Sequence, residues 1–161
     1  MKRTMVMLIG CPASGKSTYI KNLFPVLQNS VVMSFDSIIE SFAEKDGTDY
    51  ATAFNAHAQE AGTIYDQSFK EALATNKNII IDKTNMSKKS RAKTLNLINK
   101  DDWMLVAIDF SQVPIGEIKK RLANREKETG KHIPEKVVEQ MLASYEAPTR
   151  DEGFNYIIYT I

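Results

Sequence analysis

A single cysteine, Cys11, stands among 161 residues, so no disulfide framework holds this chain. Such sparse thiol usage fits a reducing compartment, and a cytoplasmic location is expected. No apolar run approaches the roughly 18 residues of a membrane-spanning helix, so no membrane partner is expected. Met1-Lys2-Arg3 ahead of an apolar stretch looks like the start of a secretory signal, but the stretch breaks after Ile9 without a cleavage site. The two histidines, His57 and His132, lie too far apart for zinc-ligand spacing. Lys and Arg (21) nearly balance Asp and Glu (20), which excludes a globally basic surface. Contact with a nucleic acid would need a local basic patch. Repeats, low-complexity tracts and Pro/Gly-rich linkers are also missing, so one domain over residues 1–161 is expected.

What is present is concentrated in Leu8-Ile9-Gly10-Cys11-Pro12-Ala13-Ser14-Gly15-Lys16-Ser17-Thr18. Gly, four residues, then Gly-Lys-Ser is the spacing of a phosphate-binding loop. Gly10 and Gly15 let the backbone close around a polyphosphate with N–H groups pointing inward. Residues 10–18 are therefore the expected nucleotide cradle. Lys16 is placed to reach the outer phosphates and Ser17 to ligate Mg²⁺. The flanks agree: Thr4 to Ile9 reads as a strand, and Thr18 to Phe24 as a helix whose N-terminal dipole favours an anion. ATP with Mg²⁺ is the expected cofactor pair. Cys11 is read as loop packing, with a reactive thiol as the alternative.

Further strands are expected at Ser30–Phe35, Asn78–Ile81, Trp103–Phe110 and Tyr156–Tyr159. Between them, helical spacing covers Tyr50 to Leu73, Ser87 to Ile98, about Pro114 to Lys127, and Pro134 to Tyr145. This alternation predicts an α/β fold, a parallel sheet covered by helices on both faces. Ligands in such folds sit at the carboxyl ends of the strands, so Gly10, Asp36 and Asp82 should meet in one crevice.

The polar residues allow two readings each. Asp36 suits a general base for an attacking hydroxyl, or a helix N-cap. Asp82 suits ordering Mg²⁺ or a plain turn, and Asn85 suits a cap for the basic helix. Arg121 and Arg125, four apart, share a helix face: a lid that clamps a transferring phosphoryl group, or a solvated basic surface. Lys88, Lys89, Arg91 and Lys93 suit a nucleic-acid backbone or, equally, solvent. Asn99-Lys100-Asp101-Asp102 matches the guanine-reading pattern of GTPases, but it follows a helix, not a strand. Asp46-Gly47-Thr48 resembles a phosphatase signature without the nucleophile, since Glu44 stands in its place.

Taken together, Gly-Cys-Pro-Ala-Ser-Gly-Lys-Ser, Ile81-Asp82-Lys83-Thr84-Asn85, His132-Ile133-Pro134 and Tyr145 to Phe154 resemble the polynucleotide 5′-hydroxyl kinases. The resemblance implies a P-loop kinase fold and a DNA or RNA acceptor. It also implies Asp36 as general base, Arg125 on the γ-phosphate, Arg121 as support in the lid, and Asp82 near the metal or acceptor. The family's phage member has an arginine three residues after its base, whereas this chain has Ile39. That difference leaves a hydroxymethylated pyrimidine within DNA as an alternative acceptor. A small-molecule or nucleotide kinase and a non-catalytic NTP-binding switch are further alternatives.

Overall fold

The computed structural model describes residues 1–23 and 27–160. Its elements are β1 (Arg3–Ile9), α1 (Lys16–Leu23), β2 (Ser30–Ser34), α2 (Phe35–Asp46), α3 (Tyr50–Leu73) and β3 (Asn78–Asp82). They continue with α4 (Lys88–Leu95), β4 (Trp103–Asp109), α5 (Ile115–Thr129), α6 (Glu135–Ala143) and β5 (Tyr156–Tyr159). Phe24, expected to end the first helix, lies outside the described residues.

The strands form one parallel sheet in the order β2-β3-β1-β4-β5. β1 is central because it can be: its last five residues, Met5 to Ile9, are all buried, as a strand covered on both faces requires. Alternation then divides the core. Met5, Met7 and Ile9 join Ile79, Ile81, Leu105 and Ala107 in packing against Tyr65, Phe69 and Ala72 of α3. Val6 and Leu8 join Ile80 and Ile108 against Ile20 of α1, Ile118 of α5 and Val138 of α6. Burying one such side chain contributes about 1.5–3 kcal/mol, so the two layers fix the sheet between its helices.

Two strands are one residue shorter than expected: β4 stops at Asp109 instead of Phe110, and β2 stops at Ser34 instead of Phe35. Phe35 opens α2 instead of ending β2, because the Ser34 side chain accepts the Ser37 N–H and caps a helix there. Since every strand runs the same way, Ile9, Ser34 and Asp82 all end at one edge of the sheet. The short turn Lys100–Asp102, capped by Asn99, precedes β4 and so sits at the opposite edge. His57 lies on α3, stacked on Phe42 at 4.1 Å and 2.6 Å from the Asp46 carboxylate, which clips α3 to α2.

Candidate active site

At the carboxyl edge a cleft of about 850 Å³ is lined by Pro12 to Tyr19, Asp36, Ser37, Glu40, Asp82, Lys83, Arg121, Arg125 and Glu128, among others. The loop between β1 and α1 forms its floor. Gly15 takes φ 104° and Ala13 φ 63°, the left-handed turns that point successive N–H groups to one side. Gly10 is a close approach: a Cβ there would lie 2.5 Å from Ser14 Oγ and 2.9 Å from Phe110 Cβ. Overpacking of this kind costs about 1–3 kcal/mol, so Gly10→Ala is expected to weaken nucleotide binding by about 10- to 100-fold. Titration with a fluorescent ATP analogue checks this, and unchanged affinity would mean that the loop tolerates the methyl group.

The Lys16 ammonium donates to the Gly10 and Cys11 carbonyls at 2.8 and 2.9 Å. Burial pushes its affinity for the proton down, and Asp82, Cys11 and Asp36 pull it back up. Asp82 shows the converse: burial raises its carboxyl and Lys16 lowers it. Cys11 is buried in the core beside Val6, Leu8 and Phe110, and burial raises its thiol, both of which fit loop packing.

Asp36 occupies the first turn of α2 but does not cap it, since Ser34 does. Its side chain is 59% exposed and is held at both oxygens. The Tyr50 hydroxyl donates to Oδ1 at 2.5 Å, and the Lys131 ammonium lies 3.5 Å from Oδ2. Arg121 donates to the Ala13 carbonyl at 3.2 Å and pairs with Glu117 at 2.9 Å, while Arg125 lies 4.0 Å from Glu40. Of the expected set, residues 12–18, Asp36, Asp82, Arg121 and Arg125 border one space, while Gly10 and Cys11 lie behind the loop against Met86, Phe110 and Tyr145. Lys131, Tyr50 and Glu40 had no distinguishing pattern in the sequence. Lys131 sits in a lysine-rich stretch, Tyr50 reads as helix core, and only the fold brings them to Asp36.

Three expectations are corrected. Asn85 does not cap α4, which Ser87 and Ser90 close with a capping box. With φ 48°, the buried Asn85 instead donates to the Leu8 carbonyl at 2.8 Å, next to Thr84, whose carbonyl accepts the Gly10 N–H. The Asp82–Asn85 turn therefore fixes the entry to the phosphate loop. Arg91 belongs to no surface patch: it is fully buried, paired with Glu152 and donating to the Asn85 and Met86 carbonyls. Ile39 is fully buried between α2 and α3 beside Ala53 and Ala61, so its side chain faces core and says nothing about an acceptor.

Several known proteins are similar to this chain in sequence or fold. An L-seryl-tRNA(Sec) kinase from Methanococcus maripaludis is 24% identical over 148 residues, 89% of this chain and 53% of that protein. The chain spans about half the length of that curated relative. Among solved structures, a chain of a Pnkp1/Rnl/Hen1 RNA repair complex superposes with TM-score 0.70 at 24% identity, covering 89% of this chain and 44% of that one. A gluconokinase from Sinorhizobium meliloti does so with TM-score 0.56 at 13% identity, covering 97% and 81%. The likeness extends to the fold, and the acceptors these proteins are named for differ. A model of the AAA domain family matches residues 5–148, and with its phosphate loop set in a kinase-type parallel sheet, the chain belongs to that family.

Proposed function

We propose that this chain transfers the γ-phosphate of ATP to a hydroxyl of a nucleic acid, the 5′-OH end of a DNA or RNA strand. The observation that carries the reading is a held, exposed carboxylate, Asp36, in the same cleft as the phosphate loop and two lid arginines. A hydrolysing switch has no need of a second acceptor-side carboxylate held by Tyr50. Two of the relatives are named for a tRNA-linked substrate and for RNA repair, which supports a nucleic-acid acceptor.

In this reading Asp36 takes the acceptor proton as the hydroxyl oxygen attacks the γ-phosphorus. The bond to the β–γ bridging oxygen breaks, and ADP leaves with that oxygen. Lys16 and Arg125 neutralise the charge spread over the γ-oxygens, with Arg121 braced on the loop beside them. Ser17 and Asp82 are hard oxygen donors at the edge of the phosphate cradle, a set that fits Mg²⁺, which takes one or two protein oxygens besides phosphate and water. When bound, that ion offsets phosphate charge.

A second reading, a small hydroxyl compound as acceptor, is favoured by one feature. The α2 wall of the cleft offers Asp36, Ser37 and Glu40, and none of these is a cation for a polyanion to meet. Label transfer from γ-³²P-ATP separates the readings. The panel is 5′-OH single-stranded DNA, 5′-OH RNA, their 5′-phosphate controls, duplex DNA containing hydroxymethyluracil, and nucleosides and L-serine. Label on 5′-OH strands and not on the controls is the expected result. Label confined to the modified duplex or to the small compounds would overturn the acceptor.

A further inference from the structure

Lys131 is the least expected charge in the molecule. Its side chain is only 7% exposed, and its ammonium has no hydrogen-bond partner among the described residues. Burying an ammonium without compensation is costly, so its surroundings must explain it. Three groups do: Asp36 Oδ2 at 3.5 Å, Glu40 Oε1 at 3.5 Å, and the face of the Tyr50 ring, 3.9 Å from its centroid. The same Tyr50 donates its hydroxyl to Asp36 Oδ1. Lysine, tyrosine and aspartate therefore form a closed arrangement in which each holds the other two.

The chain path gives this cluster a second property. Lys131 follows directly on α5, the helix that carries Arg121 and Arg125. Gly130 ends that helix at φ 71°, a left-handed turn open to glycine, and it brings Lys131 back against α2. The end of the arginine-bearing helix is thus fastened to the helix that carries Asp36. Arg125, near Glu40, is part of the same contact.

We infer that Lys131 is a positioning residue. It fixes the Asp36 carboxylate toward the acceptor end of the cleft and registers the lid helix against it, without touching substrate itself. This inference rests on the reading of Asp36 as general base. Glu40 shares the ammonium, which keeps Lys131 centred between two carboxylates instead of forming a tight pair that would draw Asp36 out of the cleft.

The test uses Lys131→Met, which keeps the length of the side chain and removes the charge, and Lys131→Arg, which keeps the charge. With the acceptor the protein uses, Lys131→Met is expected to lower kcat about 10- to 100-fold. Affinity for a non-hydrolysable ATP analogue should stay within about twofold, and Lys131→Arg should recover at least part of the loss. A folded Lys131→Met variant with unchanged kcat overturns the proposal. So does one whose nucleotide affinity falls as far as its turnover, which would make Lys131 a nucleotide-site residue. A double-mutant cycle of Lys131→Met with Asp36→Asn, read by urea denaturation, runs without any acceptor. Non-additive shifts are expected, and additive ones overturn the proposal. If wild type labels no nucleic acid, the proposed acceptor fails alone and the cycle still decides whether Lys131 and Asp36 act as a unit.

Discussion

Asp36→Ala is expected to slow phosphoryl transfer by about a hundred- to ten-thousandfold, the usual contribution of a positioned general base. Nucleotide affinity should hardly change. Three observations make the variant informative. The carboxylate is not the cap of α2, a duty that Ser34 performs, so its removal costs the helix little. The side chain is 59% exposed, but it also offsets the buried Lys131 ammonium and accepts from Tyr50, so its removal should cost on the order of 1–3 kcal/mol of stability, a loss that urea denaturation of the same preparation measures separately from turnover. Its two oxygens are fixed by Tyr50 and Lys131, so proton acceptance at one geometry is what the substitution removes. Label transfer and analogue binding, measured on the same preparation, separate catalysis from binding. Turnover near that of wild type would remove Asp36 as the base and shift attention to Glu40, the other carboxylate on that wall.

How much of this was legible in the sequence follows from the range of the interactions involved. The phosphate loop and most of the alternation of strands and helices are local patterns, and those elements lie close to where they are expected; the exception is α2, for which the sequence offers only a cap at Asp36. That Gly10, Asp36 and Asp82 share one edge followed from parallel strands alone. What the sequence could not carry were contacts made by the tertiary fold. Arg91 reads as one of several basic residues on a polar helix until its Glu152 partner, 61 residues on, is brought beneath it. Ile39, compared with an arginine elsewhere, looked like an acceptor determinant, yet helix geometry turns it to the α3 side while Asp36, Ser37 and Glu40 line the cleft. Lys131 needed both the left-handed turn at Gly130 and the packing of α2 on α3 before its partners existed.

The segment from Tyr145 to Phe154, one of the stretches that resemble the polynucleotide kinases, finds its physical account in the same way. It braces the phosphate loop from behind. Glu146 accepts the Lys88 N–H, and its own N–H bonds the Met86 carbonyl. Glu152 closes a capping box with Thr149 and grips Arg91 at 2.7 and 3.1 Å. Arg91 in turn holds the Asn85 and Met86 carbonyls, and the Thr84–Asn85 pair holds Gly10 and Leu8. A continuous path of hydrogen bonds thus runs from the last helical turn to the start of the nucleotide cradle.

Arg91→Ala should therefore destabilise the protein by about 3–5 kcal/mol, the cost of leaving a buried charge pair half removed. Burial alone would raise the Glu152 carboxyl, but the hydrogen bonds from Arg91 and the Thr149 N–H outweigh it and hold the group below the ordinary glutamate range. A depressed carboxyl contributes stability that is fully present above that range and is lost as pH falls through its folded value. Wild type should accordingly lose this contribution only in acid, whereas Arg91→Ala lacks it already at neutral pH. Urea denaturation at pH 7 and again near pH 4 measures both effects, and the gap between the two proteins should narrow in acid. Arg91→Met with Glu152→Gln, which removes the charge from both partners, should recover part of the loss. A loss below about 1 kcal/mol for Arg91→Ala at pH 7 would place the pair among surface ion pairs and break the argued path. If the path holds, the folded fraction of Arg91→Ala should also bind nucleotide more weakly, because the Gly10 end of the cradle has lost its distant support.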